Sequence, residues 1–489
     1  MSRPQRDVQV STNTDQHERP RVVVIGGGIA GLSAAWYLQQ EAAQRSLPLA
    51  CTVLERSERW GGKIHSEKIE GYGAVPFTLE AGPDAFLTRK PWALALAREL
   101  GLEGHFLFVR QENGRTFVLH HGKPIPLPNG LQLLAPTRLM PFLRSPLFSL
   151  WGKARIGLEL VIPPRRNRDD ESLAAFVRRR FGAEALDRVA DPLMAGVYNA
   201  TPERQSLLAT FPQFATLEQD HGSIIRGLHA ASHKQASEDL PPFVSFDAGT
   251  QTLVEALVTL LQADLRLRAA ATRIEQSGSG TYDVVLEDGA RLHADAVIVA
   301  SPASTAATIL SEVAPAAASL LGGIRYAGIG TMYLGYRRGD VPHPLDGFGV
   351  VIPSSEQRHI DGMTWTSSKW HLRAPADYVL VRVFFGGPST RDMLLLDDEQ
   401  LLPILRRELA SILDVHAPPL FHRTFRWHDG YPQYEVGHLE RVAAIEPALP
   451  RGVYLAGSSY RGVGVPDCVR QGQSAARMAI GMLAMVPRT

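Results

Sequence analysis

Gly26, Gly28 and Gly31 stand in G-x-G-x-x-G spacing directly after the apolar run Val22-Val23-Val24-Ile25, and Glu55 closes the next apolar run. In that pattern the first glycine permits a tight turn, the second lets the backbone approach a pyrophosphate, and the third lets a helix pack on the strand. The helix opening at Ile29 and Ala30 supplies N–H groups and a partial positive charge to the same anion. Glu55 is placed to accept hydrogen bonds from ribose hydroxyls. A glycine-rich turn alone says little, but a strand before it, a helix after it and an acid beyond point together to a dinucleotide.

The elements that must hold these residues follow from periodicity. Val22–Ile25 reads as a short strand buried on both faces, and Leu32, Ala35, Trp36 and Leu38 recur near helical spacing. Ala50-Cys51-Thr52-Val53-Leu54 then forms a second strand, which completes a βαβ opening. Just beyond lies Arg59-Trp60-Gly61-Gly62-Lys63. Arg-x-Gly-Gly at this place resembles the motif of the amine oxidase, phytoene desaturase and protoporphyrinogen oxidase superfamily, and the resemblance implies FAD, with Gly61 and Gly62 along its diphosphate and ribityl chain. The chain holds no second G-x-G-x-x-G and no C-x-x-C, so an NAD(P)H-linked disulfide reductase lacks both of its parts. Oxygen is the simplest acceptor for the reduced flavin, and a quinone stays open.

Near the C-terminus, Gly457 ends a strand-like run, and Gly462-Val463-Gly464-Val465-Pro466-Asp467-Cys468 precedes a helical pattern. Pro466 suits a first helical turn. Such a helix start, aimed at a flavin's pyrimidine edge, would stabilise the charge that builds there on reduction. The bland alternative is an ordinary helix cap. Cys468 reads as a small buried residue, because no histidine stands near it in sequence.

The 489 residues suggest about three lobes as a prior. Fifty-one basic against 50 acidic side chains exclude a general pull toward nucleic acid. Two distant cysteines, Cys51 and Cys468, exclude a disulfide framework or zinc finger and fit a reducing cytoplasm. Residues 1–20 are polar and read as a disordered leader, and no uncharged apolar run is long enough to span a bilayer. Leu131–Leu160 is apolar but broken by Arg138, Arg144, Lys153 and Arg155, favouring core helices over a membrane-surface patch, with peripheral contact left open. The fold class is α/β, with α+β character in a substrate lobe. A Rossmann-like FAD domain of the amine oxidase type would be assembled from 21–90, 245–302 and 425–489. A helical insertion occupies 91–211, and 212–244 with 303–424 form a mixed-sheet substrate domain.

A more specific resemblance runs along nearly the whole chain after residue 20. Glu80 to Leu87, Asp191 to Tyr198, Phe211-Pro212-Gln213, Gly249 to Leu253, Tyr431 to Tyr434 with Gly437-His438, and Gly462 to Cys468 are similar, in order, to the porphyrinogen oxidases of haem synthesis. Asp84 after Gly-Pro, and Gly-Val-Pro-Asp-Cys, resemble the Gram-positive branch that oxidises coproporphyrinogen III; the protoporphyrinogen branch is the alternative. Amine oxidases and carotenoid desaturases share the N-terminal grip but not the middle motifs. A binding protein on this fold that uses no FAD would not need the intact glycines and Glu55. The resemblance implies further FAD contacts at Arg56, Lys63, Gly82, Pro83, Asp84, Ala271, Trp427, Gly464 and Val465. It also implies O2 as acceptor, and it allows handover of the porphyrin to a later enzyme of the pathway.

Six hydrogens leave a porphyrinogen, which a flavin can take through N5 in three two-electron rounds. No metal and no protein acid or base is nominated, and no Ser-His-Asp set or carboxylate pair is present to nominate. The macrocycle is apolar with carboxylate arms, so aliphatic and aromatic walls with a cationic rim are expected. Arg89 and Lys90 are the first candidates for that rim, and Arg382 and Phe384 lie on a strand of the substrate lobe. Arg178-Arg179-Arg180 reads as an exposed helical face, since consecutive residues cannot share one side of a helix.

Overall fold

In a computed structural model the described residues are 19–485, apart from 133–134, 233–239 and 279. The leader expected at 1–20 lies almost wholly outside them.

Five parallel strands form the first sheet, in the order Asp264–Arg266, Ala50–Leu54, Arg21–Ile25, Ala296–Val299 and Val453–Leu455. The central strand alternates between two cores, as a strand covered on both faces must. Val22 and Val24 pack with Leu32, Ala35, Val469 and Ala476 beneath the helices Ile29–Gln44 and Val465–Ala484. Val23 and Ile25 pack on the other face with Ile274, Val284, Ala306 and Leu321. That second cover comprises the antiparallel strands Ala271–Gly278, Thr281–Leu286 and Arg291–Ala294 and the helices Ala303–Ile309 and Pro315–Gly322. The turn at Asp288-Gly289 joins Thr281–Leu286 to Arg291–Ala294. The next apolar run, Ala296–Val299, belongs to the parallel sheet.

A second sheet is mixed and has seven strands: Phe421–Pro432, Tyr326–Arg337, Tyr378–Phe385, Gly362–Trp365, Gly349–Val351, Thr116–His120 and Lys123–Pro126. Only Gly349–Val351 and Thr116–His120 run parallel; the other neighbours are antiparallel. The helix Asp398–Leu413, started by an Asp397–Gln400 capping box, lays Leu401, Leu405 and Leu409 over Met332, Leu334, Val381 and Val383. Two stretches of the expected helical insertion are strands, and the prolines of one of them read in sequence as a loop between helices. The Pro-rich run at 123–128 supplies the edge strand Lys123–Pro126, where a proline's missing N–H costs no ladder bond, and Thr116–His120 pairs beside it.

Helices between Leu139 and Ser232 enclose a third core around Phe176, Phe181, Val189 and Phe214. The arginine triplet here needs a correction. Arg178 is exposed, but Arg180 is fully buried and bonded to Glu159, with Nε 3.0 Å from Oε1. Its guanidinium also donates to the carbonyls of Ile162 and Gly222, each at 2.9 Å. Glu159 in turn accepts from Ser223 Oγ at 2.6 Å and the Ile224 N–H at 2.8 Å. Every strong polar group of the pair is satisfied, which is what makes a buried charge tolerable. No helix of the described residues is long and apolar enough to cross a membrane.

Candidate active site

The helices Ile29–Gln44 and Val465–Ala484 lie side by side, and both N-termini open on one cavity of about 740 Å³. The three glycines of the first loop perform three different tasks. A Cβ on Gly31 would stand 1.9 Å from the carbonyl oxygen of Gly26, so only glycine lets this helix sit so close to the strand. A Cβ on Gly28 would meet nothing within 4 Å, because that position faces the cavity itself. Gly26 has φ +116°, which the sharp exit from the strand requires.

Glu55 is oriented by the loop it serves. One carboxylate oxygen accepts the Gly27 N–H at 2.8 Å and the other accepts the Ser57 N–H at 2.8 Å. Its remaining lone pairs can accept further hydrogen bonds. Gly61 donates to the Gly27 carbonyl at 2.8 Å, which docks the second glycine turn against the first. Arg59 fixes that turn from outside, its guanidinium donating to the carbonyls of Gly62 at 2.6 Å and Ile64 at 3.2 Å. Burial pulls the Arg59 and Lys63 pKa values down, with Glu55 partly restoring the first and Asp429 helping to restore the second.

Of the expected contacts, Gly26, Gly28, Ile29, Ala30, Glu55, Arg56, Gly61, Gly62, Lys63, Pro83, Ala271, Trp427, Gly457 and Val465 line this cavity. Gly31, Gly82, Asp84 and Gly464 stand behind the wall and shape it. A Cβ on Gly82 would come 2.1 Å from the Lys63 carbonyl oxygen. Asp84 accepts from Lys369 Nζ at 2.7 Å and Trp370 Nε1 at 3.1 Å. Burial opposes its charge, yet Lys369 and Arg382 hold the carboxyl well below its ordinary range. Gly464 caps the C-terminal helix, whose first turn carries Pro466 and Asp467.

The four substrate candidates separate. Arg89 is exposed. Lys90 is bonded to Asp467, Nζ to Oδ2 2.6 Å, at the start of the C-terminal helix. Arg382 is buried beneath the Gly82 turn, donating to its carbonyl at 2.9 Å with its guanidinium over the rings of Tyr333 and Phe384. Neither Arg382 nor Phe384 reaches the cavity wall. Arg382 instead holds the loop that carries Pro83.

Several lining groups were not among the expected contacts: Ala300-Ser301-Pro302 at the end of the fourth sheet strand, Asp429 and Ser458-Ser459, and Tyr431, which stood only within a family motif. Trp427 donates its indole N–H to the Ala81 carbonyl at 2.8 Å, which fixes one ring edge while the residue lines the cavity. Cys468 also lines it, but burial pushes its thiol up to about 12, so it is an inert wall and not a nucleophile.

Residues 29–480 match the family described as flavin containing amine oxidoreductase. The chain belongs to that family. It is 36% identical over 474 residues to the coproporphyrinogen III oxidase of Bacillus subtilis (strain 168), covering 95% of this chain and 99% of that one. It is 28% identical to the chloroplastic protoporphyrinogen oxidase of Nicotiana tabacum, over 94% of this chain and 86% of that one. A crystal structure from Exiguobacterium sp. 255-15, provisionally named a protoporphyrinogen oxidase, superposes with a TM-score of 0.83 at 28% identity, covering 95% and 99% of the two chains. The cavity suits the family's flavin in its FAD form: an acid beside a phosphate loop at one helix start, and a second helix start for the far end of an elongated ligand.

Proposed function

We propose that this chain is an FAD-dependent oxidase that converts a porphyrinogen to a porphyrin, with coproporphyrinogen III as substrate. The observation that carries the reading is the pair of helix N-termini opening on one cavity, with Glu55 fixed beside the first. The relative from Bacillus subtilis, matched almost end to end, supports the choice of coproporphyrinogen. The tobacco relative keeps protoporphyrinogen IX as the alternative.

Bound FAD supplies the two-electron acceptor, reoxidised by O2 to give hydrogen peroxide. The protein's part is binding, orientation and electrostatics. Gly28 opens the wall for the pyrophosphate, the N–H groups at Ile29 and Ala30 meet its charge, and Glu55 holds the ribose. The start of the helix at Val465 presents a partial positive charge to the pyrimidine edge. The contacts at Arg56, Gly61, Gly62, Lys63, Pro83, Ala271, Trp427 and Gly457 are assigned to the same ligand. Residues 21–90, 245–302 and 425–489 are assigned to the FAD unit, 91–211 to the insertion, and the remainder to the substrate unit. Arg89 remains the candidate for a propionate, and Lys90 and Arg382 act through the elements they hold.

A peripheral contact with a membrane is supported by one surface. Trp151 is 86% exposed and Leu150 82%, on a helix whose first turn is capped by Ser149 and tied to Glu184. Leu139, Met140, Leu143, Leu158 and Val161 are exposed around them. From 138 to 168 the only acid is Glu159, which is buried against Arg180, while Arg138, Arg144, Lys153, Arg155, Arg165, Arg166 and Arg168 are basic. Arg165 is paired with Glu171, and the remaining basic residues of the stretch leave a net positive charge around the apolar tips, which suits an anionic lipid surface.

The test of the activity is a purified protein with a flavin spectrum, given coproporphyrinogen III and protoporphyrinogen IX separately and followed by porphyrin fluorescence. A colourless protein that also takes up no added FAD, or a yellow one active on neither substrate, would overturn the reading.

A further inference from the structure

At the edge of the seven-stranded sheet opposite Phe421–Pro432, the strand that lines the flavin cavity, the hairpin joining Thr116–His120 to Lys123–Pro126 turns through His121 and Gly122. His121 has φ +50° and Gly122 φ +73°, the left-handed pair of a two-residue hairpin turn. Asn or Asp is the ordinary occupant of the first position, and histidine is among the residues that the left-handed backbone accepts. The turn has a chemical consequence. Adjacent residues in a continuing strand point to opposite faces, whereas here the rings of His120 and His121 lie with centroids 4.1 Å apart.

Glu356 completes the group. Its carboxylate accepts the His121 N–H at 2.7 Å and the Gly122 N–H at 3.0 Å, so it is anchored to the turn by backbone bonds and keeps lone pairs free. One ligand atom from each of His120, His121 and Glu356 lies within 4.8 Å of the others. Tetrahedral coordination at about 2.0–2.1 Å needs ligand atoms roughly 3.4 Å apart, a closure that small side-chain rotations of the exposed His121 and half-buried His120 supply. Two imidazoles and a carboxylate are the ligands of a zinc-class ion, with water in the fourth position, and not of magnesium or calcium.

The geometry points to a divalent transition-metal site of the zinc class at His120, His121 and Glu356. The ion would clip the edge hairpin to the Ser354–Glu356 turn. That turn is itself bonded to the helical layer, its Ser354 N–H donating to Asp191 at 2.9 Å. Ser354 and Arg358 line a second cavity of about 380 Å³ between the helical layer and the sheet, so the clip would stiffen one wall of it. None of the three ligands lines the flavin cavity, which makes the role structural and separate from the oxidation.

The experiment uses the untagged, FAD-loaded full chain, stripped with chelator and titrated calorimetrically with Zn²⁺, with Mg²⁺ as control. One Zn²⁺ per chain is expected, with a melting temperature raised by saturating metal. His121→Asn keeps a residue that the left-handed turn accepts, and Glu356→Gln keeps the shape of the carboxylate. Each should weaken Zn²⁺ binding by about tenfold or more, since even loss of an outer partner costs that much. Activity without metal should be unchanged in both. Absence of stoichiometric Zn²⁺ binding to the native chain, or equal binding by folded His121→Asn, His120→Gln and Glu356→Gln proteins, would overturn the site.

Discussion

Lys90 Nζ lies 2.6 Å from Asp467 Oδ2, joining the segment after the Gly82 turn to the first turn of the C-terminal helix. That helix start lines the flavin cavity through Val465. An unpaired Asp467, only 5% exposed, would offset the helix's positive end where reduction places negative charge. On the FAD reading proposed above, Lys90 would serve the flavin's electrostatics by neutralising Asp467.

Lys90→Met should accordingly lower the flavin reduction potential, on the order of 20–30 mV, or about 1 kcal/mol for two electrons. Asp467→Asn in the same chain should restore it. Redox titration against reference dyes reads the shift. An unchanged potential in Lys90→Met would reject the coupling.

Gly28 and Gly31 should fail in opposite ways. Gly31→Ala forces a methyl against the Gly26 carbonyl and should cost about 1–3 kcal/mol of stability, with little FAD-free protein surviving purification. Gly28→Ala meets only open space, so the FAD-free protein should melt as the native one does. Its FAD affinity should fall at least about tenfold, or about 1.4 kcal/mol, because the methyl occupies the phosphate's approach. Equal FAD affinity in Gly28→Ala would remove the pyrophosphate from this loop.

Asp361, 8% exposed, accepts the Gly387 N–H at 2.8 Å and the Thr390 hydroxyl at 2.9 Å. Burial pushes its carboxyl up from 3.8 to about 6, against the pull of those bonds. The folded chain then holds a proton that the unfolded chain has lost. This contribution is complete below about 4 and disappears as pH rises through about 6. Urea melts of Asp361→Asn and the native chain should diverge across that window by no more than about 3 kcal/mol. Parallel curves would contradict the shift.

Leu150→Glu with Trp151→Glu should abolish flotation with phosphatidylglycerol vesicles and leave oxidation of dispersed substrate intact. The native chain should float with these vesicles and less with neutral phosphatidylcholine. No flotation of the native chain in low salt would reject the membrane surface.

Much of the flavin grip was legible because its motifs encode backbone geometry locally. Gly26 to Gly31, Glu55 and Gly61-Gly62 each announce a turn, a close approach or a fixed acid within a short stretch. The supports were hidden because they depend on partners distant in sequence. Lys90 reads as a cation of the substrate rim until Asp467 is placed beside it, and Arg382 as a substrate ligand until the Gly82 carbonyl is placed above it. Arg180 follows two other arginines, yet its burial is set by Glu159 and the Gly222 carbonyl. Lys123–Pro126 was obscured for a different reason: its prolines signal a loop everywhere except at a sheet edge.

The central claim is tested most directly by stoichiometry. With the FAD-loaded chain in aerated buffer, coproporphyrin III formed and hydrogen peroxide released should stand in a ratio of about one to three, as a six-electron oxidation in two-electron rounds requires. No porphyrin from the flavin-loaded protein, while a simple amine yields peroxide, would contradict the account.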